Sequence, residues 1–165
     1  MALDRMDLVL LELLQEDPRR TVKELAAGVG LSPSATHARV QRLLADGVVT
    51  GFRVDLDPRA IGVGLQAILQ VQLRRHVREV LEAFRAHALS LREVIAVTHL
   101  TGPIDFAVHV AVRDPDHLRD LAMESFTTRD EVARIETSIV YEHARARSWP
   151  IYAVEDELHP RAGHR

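Results

Sequence analysis

Two helical repeats set almost end to end constrain this chain more than any other feature. Val22, Leu25, Ala26 and Val29 recur at helical spacing, and Thr36, Val40, Leu43 and Leu44 do so again, with only Gly30, Leu31 and Ser32 between them. A glycine just past the last periodic residue suits the left-handed cap, and Ser32 followed by Pro33 supplies an N-cap oxygen and a pre-set first helical dihedral. One helix therefore stops and another starts within a few residues, which is the helix-turn-helix arrangement.

The second helix divides its labour. Thr36, Val40, Leu43 and Leu44 must pack inward, which leaves Ser34, Ala35, His37, Ala38 and Gln41 facing outward. Small and hydrogen-bonding residues near a helix N-terminus suit a surface that enters a major groove. Arg39 and Arg42 flank that surface, placed to contact phosphate or to brace the helix. The competing reading is an ordinary helical hairpin whose polar face meets water.

Charge runs against a simple DNA-binding argument. Formal net charge is −3 over 165 residues, and residues 1 to 50 hold six basic and seven acidic groups. Counterion release, however, depends on the few cations that reach phosphates. Arg19, Arg20, Lys23, Arg39 and Arg42 are the expected patch, with Asp4, Asp7 and Glu12 pointing elsewhere. Weak nonspecific binding and reliance on two copies acting together follow.

A chain of this length forms one ordinary domain or two small ones. Its 47% apolar and 27% charged content is that of a soluble globular protein. No apolar run is long enough to cross a bilayer, and the N-terminus lacks the layout of a signal peptide, so a cytoplasmic location without membrane association is expected. With no cysteine there is no disulfide framework, thiol nucleophile or thiolate metal site.

In chain order, Leu3, Met6, Leu10, Leu13 and Leu14 define a first helix over residues 3 to 16, ended by Asp17 and Pro18. Two more helices complete a trihelical core. Residues 48 to 58, VVTGFRVDLDP, alternate through Phe52, Val54 and Leu56 and read as an extended strand, the wing of a winged helix-turn-helix and an arm toward a second domain. Gly62 and Gly64 mark the hinge that follows.

From Leu65 the period switches between two and 3.6. A strand over 65 to 73 has Leu65, Ala67, Leu69, Val71 and Leu73 on one face. A helix with Val77, Val80, Leu81, Phe84, Ala88 and Leu91 follows, then strands over 93 to 100 and 106 to 113. Leu118, Leu121, Ala122 and Ser125 mark another helix, and a strand over 133 to 142 carries Ile135, Thr137, Ile139 and Tyr141 on one face. Strand, helix, strand, strand, helix, strand is the ferredoxin-like βαββαβ order, so the fold class is α+β with an antiparallel sheet. Expected domains are a winged helix-turn-helix over 1 to 52, a strand and hinge linker over 53 to 64, a ligand-sensing and oligomerisation domain over 65 to 152, and a mobile tail over 153 to 165. The sheet face away from the helices carries Ile68, Gln70 and Gln72, mixed and uncharged, as a face covered by a second copy would be.

The pattern LDRMDLVLLELLQEDPRRTVKELAAGVGLSPSATHARVQRLLADGVVTGF, together with TGPIDF between two strands, resembles the Lrp/AsnC family of feast/famine transcription regulators over residues 3 to 152. The resemblance implies a cytoplasmic regulator that dimerises through its C-terminal sheets, with tetramers or octamers as larger assemblies. It implies binding to pseudo-palindromic double-stranded operator DNA through paired recognition helices, and a small-molecule effector, typically an amino acid. By resemblance, Thr101, Gly102, Pro103, Ile104 and Asp105 form the effector turn, and Thr137 corresponds to a position on the last strand near it. Pro103 stands where the family usually has an acid, and FTTRDEVA lacks its usual Pro-Gly turn.

The turn has its own physical logic. Gly102 permits positive φ, and Thr101 and Asp105 add a hydroxyl and a carboxylate, so it can be a pocket or a hairpin in which Asp105 bonds backbone. Of nine histidines, His99 and His109 flank the turn and, with Asp105, would make a zinc or nickel site if they met across neighbouring strands. No motif ties a serine to a base and no glycine pair opens a phosphate loop, so neither catalysis nor a cofactor is expected. The rival to a DNA-binding regulator is a ferredoxin-like metabolite- or metal-sensing module whose helical N-terminus binds protein.

Overall fold

A computed structural model describes residues 3 to 146 and 148 to 152, which divide between two compact units, Met1–Val54 with Ala144–Arg165, and Asp55–His143. The described residues among 144 to 152 thus group with the helices, whereas the sequence pattern places residues up to 152 with the sheet domain. The expected tail over 153 to 165 lies outside the described residues.

The helical unit is built from α1 (Arg5–Glu16), α2 (Val22–Val29) and α3 (Pro33–Ala45). Each start is capped by the residue the sequence offers. The Asp7 N–H donates to Asp4 Oδ1 at 2.9 Å while the Asp4 N–H donates to Asp7 Oδ2 at 3.1 Å. Thr21 and Glu24 repeat this reciprocal pattern on α2, and Ser32 Oγ accepts from the Ala35 N–H at 3.2 Å on α3. Gly30 ends α2 at φ +69°, in the left-handed region that the tight turn requires. Leu10, Leu14, Leu25, Val29 and Leu43 form the core. In the same unit, Gln15 receives the Trp149 N–H at 2.6 Å.

The strand expected over residues 48 to 58 is not formed, and no wing accompanies the three helices among the described residues. Its alternation is real, but a strand needs a hydrogen-bonded neighbour, and none among the described residues pairs with it. Phe52, Val54 and Leu56 are 52%, 82% and 62% exposed.

The second unit contains β1 (Leu65–Leu73), α4 (Arg78–Ser90), β2 (Val94–His99), β3 (Phe106–Val112), α5 (Pro115–Leu121) and β4 (Val132–Ile139). The strands form one antiparallel sheet in the order β2-β3-β1-β4, the ferredoxin-like arrangement. Ala67, Leu69, Val71 and Leu73 of β1 and Phe106, Val108, Val110 and Val112 of β3 bury one face against Phe84, Ala88, Leu118, Leu121 and Phe126. Ser125 does not join Leu118 and Leu121 as expected. Beyond α5 the helix continues over Ala122–Thr127 as a π-turn, whose extra residue per turn carries Phe126 into the core instead. β4 ends at Ile139, and Tyr141 is fully exposed.

Candidate nucleic-acid interface and effector turn

On α3, Thr36 and Leu43 are buried, and the Thr36 hydroxyl donates to the Ser32 carbonyl at 3.0 Å, which settles the one polar group on the inward side. Ser34, Ala35, His37, Ala38 and Gln41 are all exposed, as expected of an outward face.

The two arginines of α3 behave otherwise. Arg39 reaches Asp4 at 2.6 Å and Asp7 at 2.9 Å, and Arg42 reaches Asp7 at 2.5 Å. The expectation that Asp4 and Asp7 point elsewhere is overturned. Asp7 is 1% exposed, and a carboxylate so placed must be paired, so it draws both guanidinium groups onto the start of α1. Glu12 does face solvent. Donation from the Asp7 backbone N–H, followed by Arg39, holds the Asp4 carboxyl below its ordinary range, while Asp4 and then Asp7 hold Arg39 above its own. Of Arg39's two expected roles, bracing is the one its contacts serve, and Arg42 shares it.

The remaining cations of the expected patch differ in freedom. Arg19 pairs with Asp17 at 3.1 Å and Arg20 with Glu16 at 2.6 Å. Lys23, exposed on α2, has no ion pair among the described residues.

At the other candidate site, Thr101, Gly102 and Pro103 are exposed, Ile104 is half-buried and Asp105 is buried. Gly102 has φ +120° with open space where a side chain would stand, so conformation demands the glycine there, not crowding. Asp105 Oδ2 accepts the buried Leu73 N–H at 2.7 Å, and its Oδ1 meets His76 Nε2 at 2.9 Å. Its own N–H donates to the Val71 carbonyl. The carboxylate therefore bonds the backbone of β1, not its own turn, and ties the turn to that strand. His76 is a partner that no sequence signal indicated.

Thr137 stands opposite Leu69 on β4, which is separated from β3 by β1. Two strand spacings amount to roughly 10 Å, so the single chain does not bring Thr137 to the turn. Nor do His99 and His109 meet. His99 pairs with Phe106 and stacks on it at 4.8 Å, on the helix-covered face, whereas His109 pairs with Ile68 and points to the opposite face. The metal site imagined between them is excluded by this register, and among the described residues no group of three or more ligating side chains gathers.

Comparison with known proteins agrees with both units. Residues 3–44 match the AsnC-type helix-turn-helix domain, and residues 66–150 match the Lrp/AsnC ligand binding domain. The HTH-type transcriptional regulator AldR of Mycolicibacterium smegmatis is 40% identical over 146 residues, covering 88% of this chain and 85% of that protein. A transcriptional regulator from Neisseria meningitidis, solved as its L-Met complex, superposes with a TM-score of 0.79 at 28% identity, covering 88% and 94% of the two chains. AsnC of E. coli gives 0.78 at 28% identity over 90% of this chain and 99% of its own. These relatives are transcriptional regulators, not enzymes.

Proposed function

Because this chain belongs to the Lrp/AsnC family of transcriptional regulators, we propose that it binds a pseudo-palindromic operator as a homodimer and that an amino acid adjusts its assembly or its affinity for DNA. The observation that carries the DNA-binding half is the exposed set Ser34, Ala35, His37, Ala38 and Gln41 on α3. Small side chains let the helix approach the bases, and Ser34, His37 and Gln41 offer hydrogen bonds to their edges. Lys23 on the first helix of the pair meets the phosphates, while Arg39 and Arg42 hold α3 against α1.

Residues 1 to 52 read the operator, 53 to 64 link, and the sheet that begins at Leu65 assembles the oligomer. Support for a second copy comes from the uncharged outward face of the central strands and from the exposed apolar alternation Phe52, Val54, Leu56. A DNA-bound regulator works in the cytoplasm, and larger assemblies, tetramers or octamers, arise by stacking dimers.

The effector turn is Thr101 to Asp105, with Gly102 and Thr101 exposed to a ligand and Asp105 securing the turn from behind. The Neisseria meningitidis relative carries L-Met, and an amino acid is the ligand class proposed here. Thr137 contributes only if another chain brings it to the turn. Control requires that the ligand bind two assembly states with different affinity, since equal binding shifts nothing.

Fluorescence anisotropy with promoter fragments, including the DNA upstream of its own coding sequence, tests the first half. Selective binding to half-sites separated by about one helical turn or a multiple is expected, lost on Gln41→Ala combined with Ser34→Ala. A monomer without sequence preference at low salt would overturn the reading. A thermal-shift panel of the amino acids tests the second half, with a hit naming the ligand.

A further inference from the structure

His109 stands on β3 with its ring on the outward face of the sheet, opposite Ile68 of β1 and Ala96 of β2. Its Nε2 is buried and has no hydrogen-bond partner among the described residues. The ring of His143, just beyond β4 in the same unit, lies 5.1 Å away between centroids at an interplanar angle of 59°. Burial, and secondarily His143, lower the His109 pKa, which favours the neutral imidazole, the form that ligates metals.

The spacing matches shared coordination. Two imidazoles on one tetrahedral ion, each nitrogen about 2.0–2.1 Å from the metal, set their ring centres roughly 5 Å apart. Around His109, the outward positions of the central strands are Gln66, Ile68, Gln70, Gln72, Ala107 and Ala111, so no charge on β1 or β3 competes with a cation there. One chain supplies only half of a tetrahedral set. This is the face on which the proposed dimer would place a second copy, and where a two-fold axis passes close to a residue, that residue meets its own counterpart.

We propose that His109 and His143 are half of a four-histidine transition-metal site, of the zinc or nickel class, completed by the same pair from a second copy of the chain. The inference rests on the dimer proposed above. It differs from the excluded pairing with His99, which lies on the other face. Imidazole ligands on a structural ion would link metal supply to assembly.

The full chain, purified without a polyhistidine tag and stripped with EDTA, is titrated with zinc chloride by calorimetry while light scattering reports its mass. His143→Ala removes an exposed ring and so leaves the fold intact, and His109→Gln removes the other. One zinc per two chains is expected, with at least tenfold weaker binding in either variant and an unchanged melting temperature for metal-free His143→Ala. Cobalt in place of zinc should give the visible absorption of a tetrahedral nitrogen-ligated ion, absent from both variants. No saturable binding, one ion per chain, or binding that both variants retain overturns the site. A dimer that ignores zinc removes only this inference, whereas a monomer with and without zinc removes the dimer as well.

Discussion

Arg39 donates to Asp7 across 2.9 Å although 32 residues separate them, and this pair fixes how α3 is held against α1. Asp7 is 1% exposed and serves three masters at once: Arg39, Arg42 and the backbone N–H of Asp4. An anchor buried on the inner side of α3 leaves that helix one orientation against α1. The ion pairs are formed at the rim, with Arg42 44% exposed, so solvent screens part of their attraction.

Asp7→Ala is therefore expected to destabilise the helical unit by about 1–3 kcal/mol, because it leaves two cations without their shared partner and removes half of a capping box. Urea unfolding followed by helical circular dichroism measures this. DNA affinity should fall alongside for all sequences, since α3 loses its orientation while its outward residues are untouched.

Lys23 and Arg42 separate a phosphate contact from a brace. Lys23→Ala should reduce the slope of log affinity against log salt by about 1, the signature of one lost phosphate contact. Arg42→Ala should lower the melting temperature and leave that slope nearly unchanged, because its charge is already matched by Asp7. A flattened slope for Arg42→Ala with normal stability would return that residue to the phosphates.

The three helices and the βαββαβ order were legible because each rests on local signals: Ser32–Pro33 at one helix start, Gly30 at another's end, and strict alternation along β1. What escaped depends on residues distant in sequence. Nothing near Arg39 announces that Asp7 will be buried beneath it, although the spacing of Asp4 and Asp7 is that of a capping box. Alternation through Phe52, Val54 and Leu56 predicts a strand, but periodicity reports which faces are apolar and not whether a neighbour is present. At Gly64 the chain also passes so close to the Arg113 carbonyl that a side chain would collide with it, a contact between residues far apart in sequence. Residues 101 to 105 lie between β2 and β3, where the alternation puts a turn, while the partnership of Asp105 with His76 depends on the fold.

Asp105→Ala should show which of two roles that residue has. Its carboxylate satisfies the buried Leu73 N–H, and an unmatched buried donor costs about 1–3 kcal/mol. A lower melting temperature for the sheet unit is expected, together with loss of any ligand-induced shift. His76→Ala removes only the exposed partner and should leave stability within about 0.5 kcal/mol of the parent. Full stability in Asp105→Ala with a lost ligand response would instead assign the carboxylate to the ligand.

Acid should loosen the helical unit before the sheet. Asp4, Asp17 and Glu24 are each held below their ordinary pKa, first by a backbone N–H, from Asp7, Arg19 and Thr21 respectively, and then by side-chain partners. A carboxyl depressed in the folded state contributes stability above its unfolded pKa and surrenders it as pH falls through the folded one. That window opens below about pH 4 for these groups. In the sheet unit only Glu131 is similarly depressed among the described residues, with burial opposing the lowering and its own backbone N–H and Arg129 producing it. Melts recorded between pH 7 and pH 3 should therefore show the helical transition dropping first, with Asp4→Asn, which cannot lose a charge, flattening that dependence. Equal loss in both units, or no change in Asp4→Asn, would mean that the caps at Asp4, Thr21 and Asp17 contribute little to holding the helices.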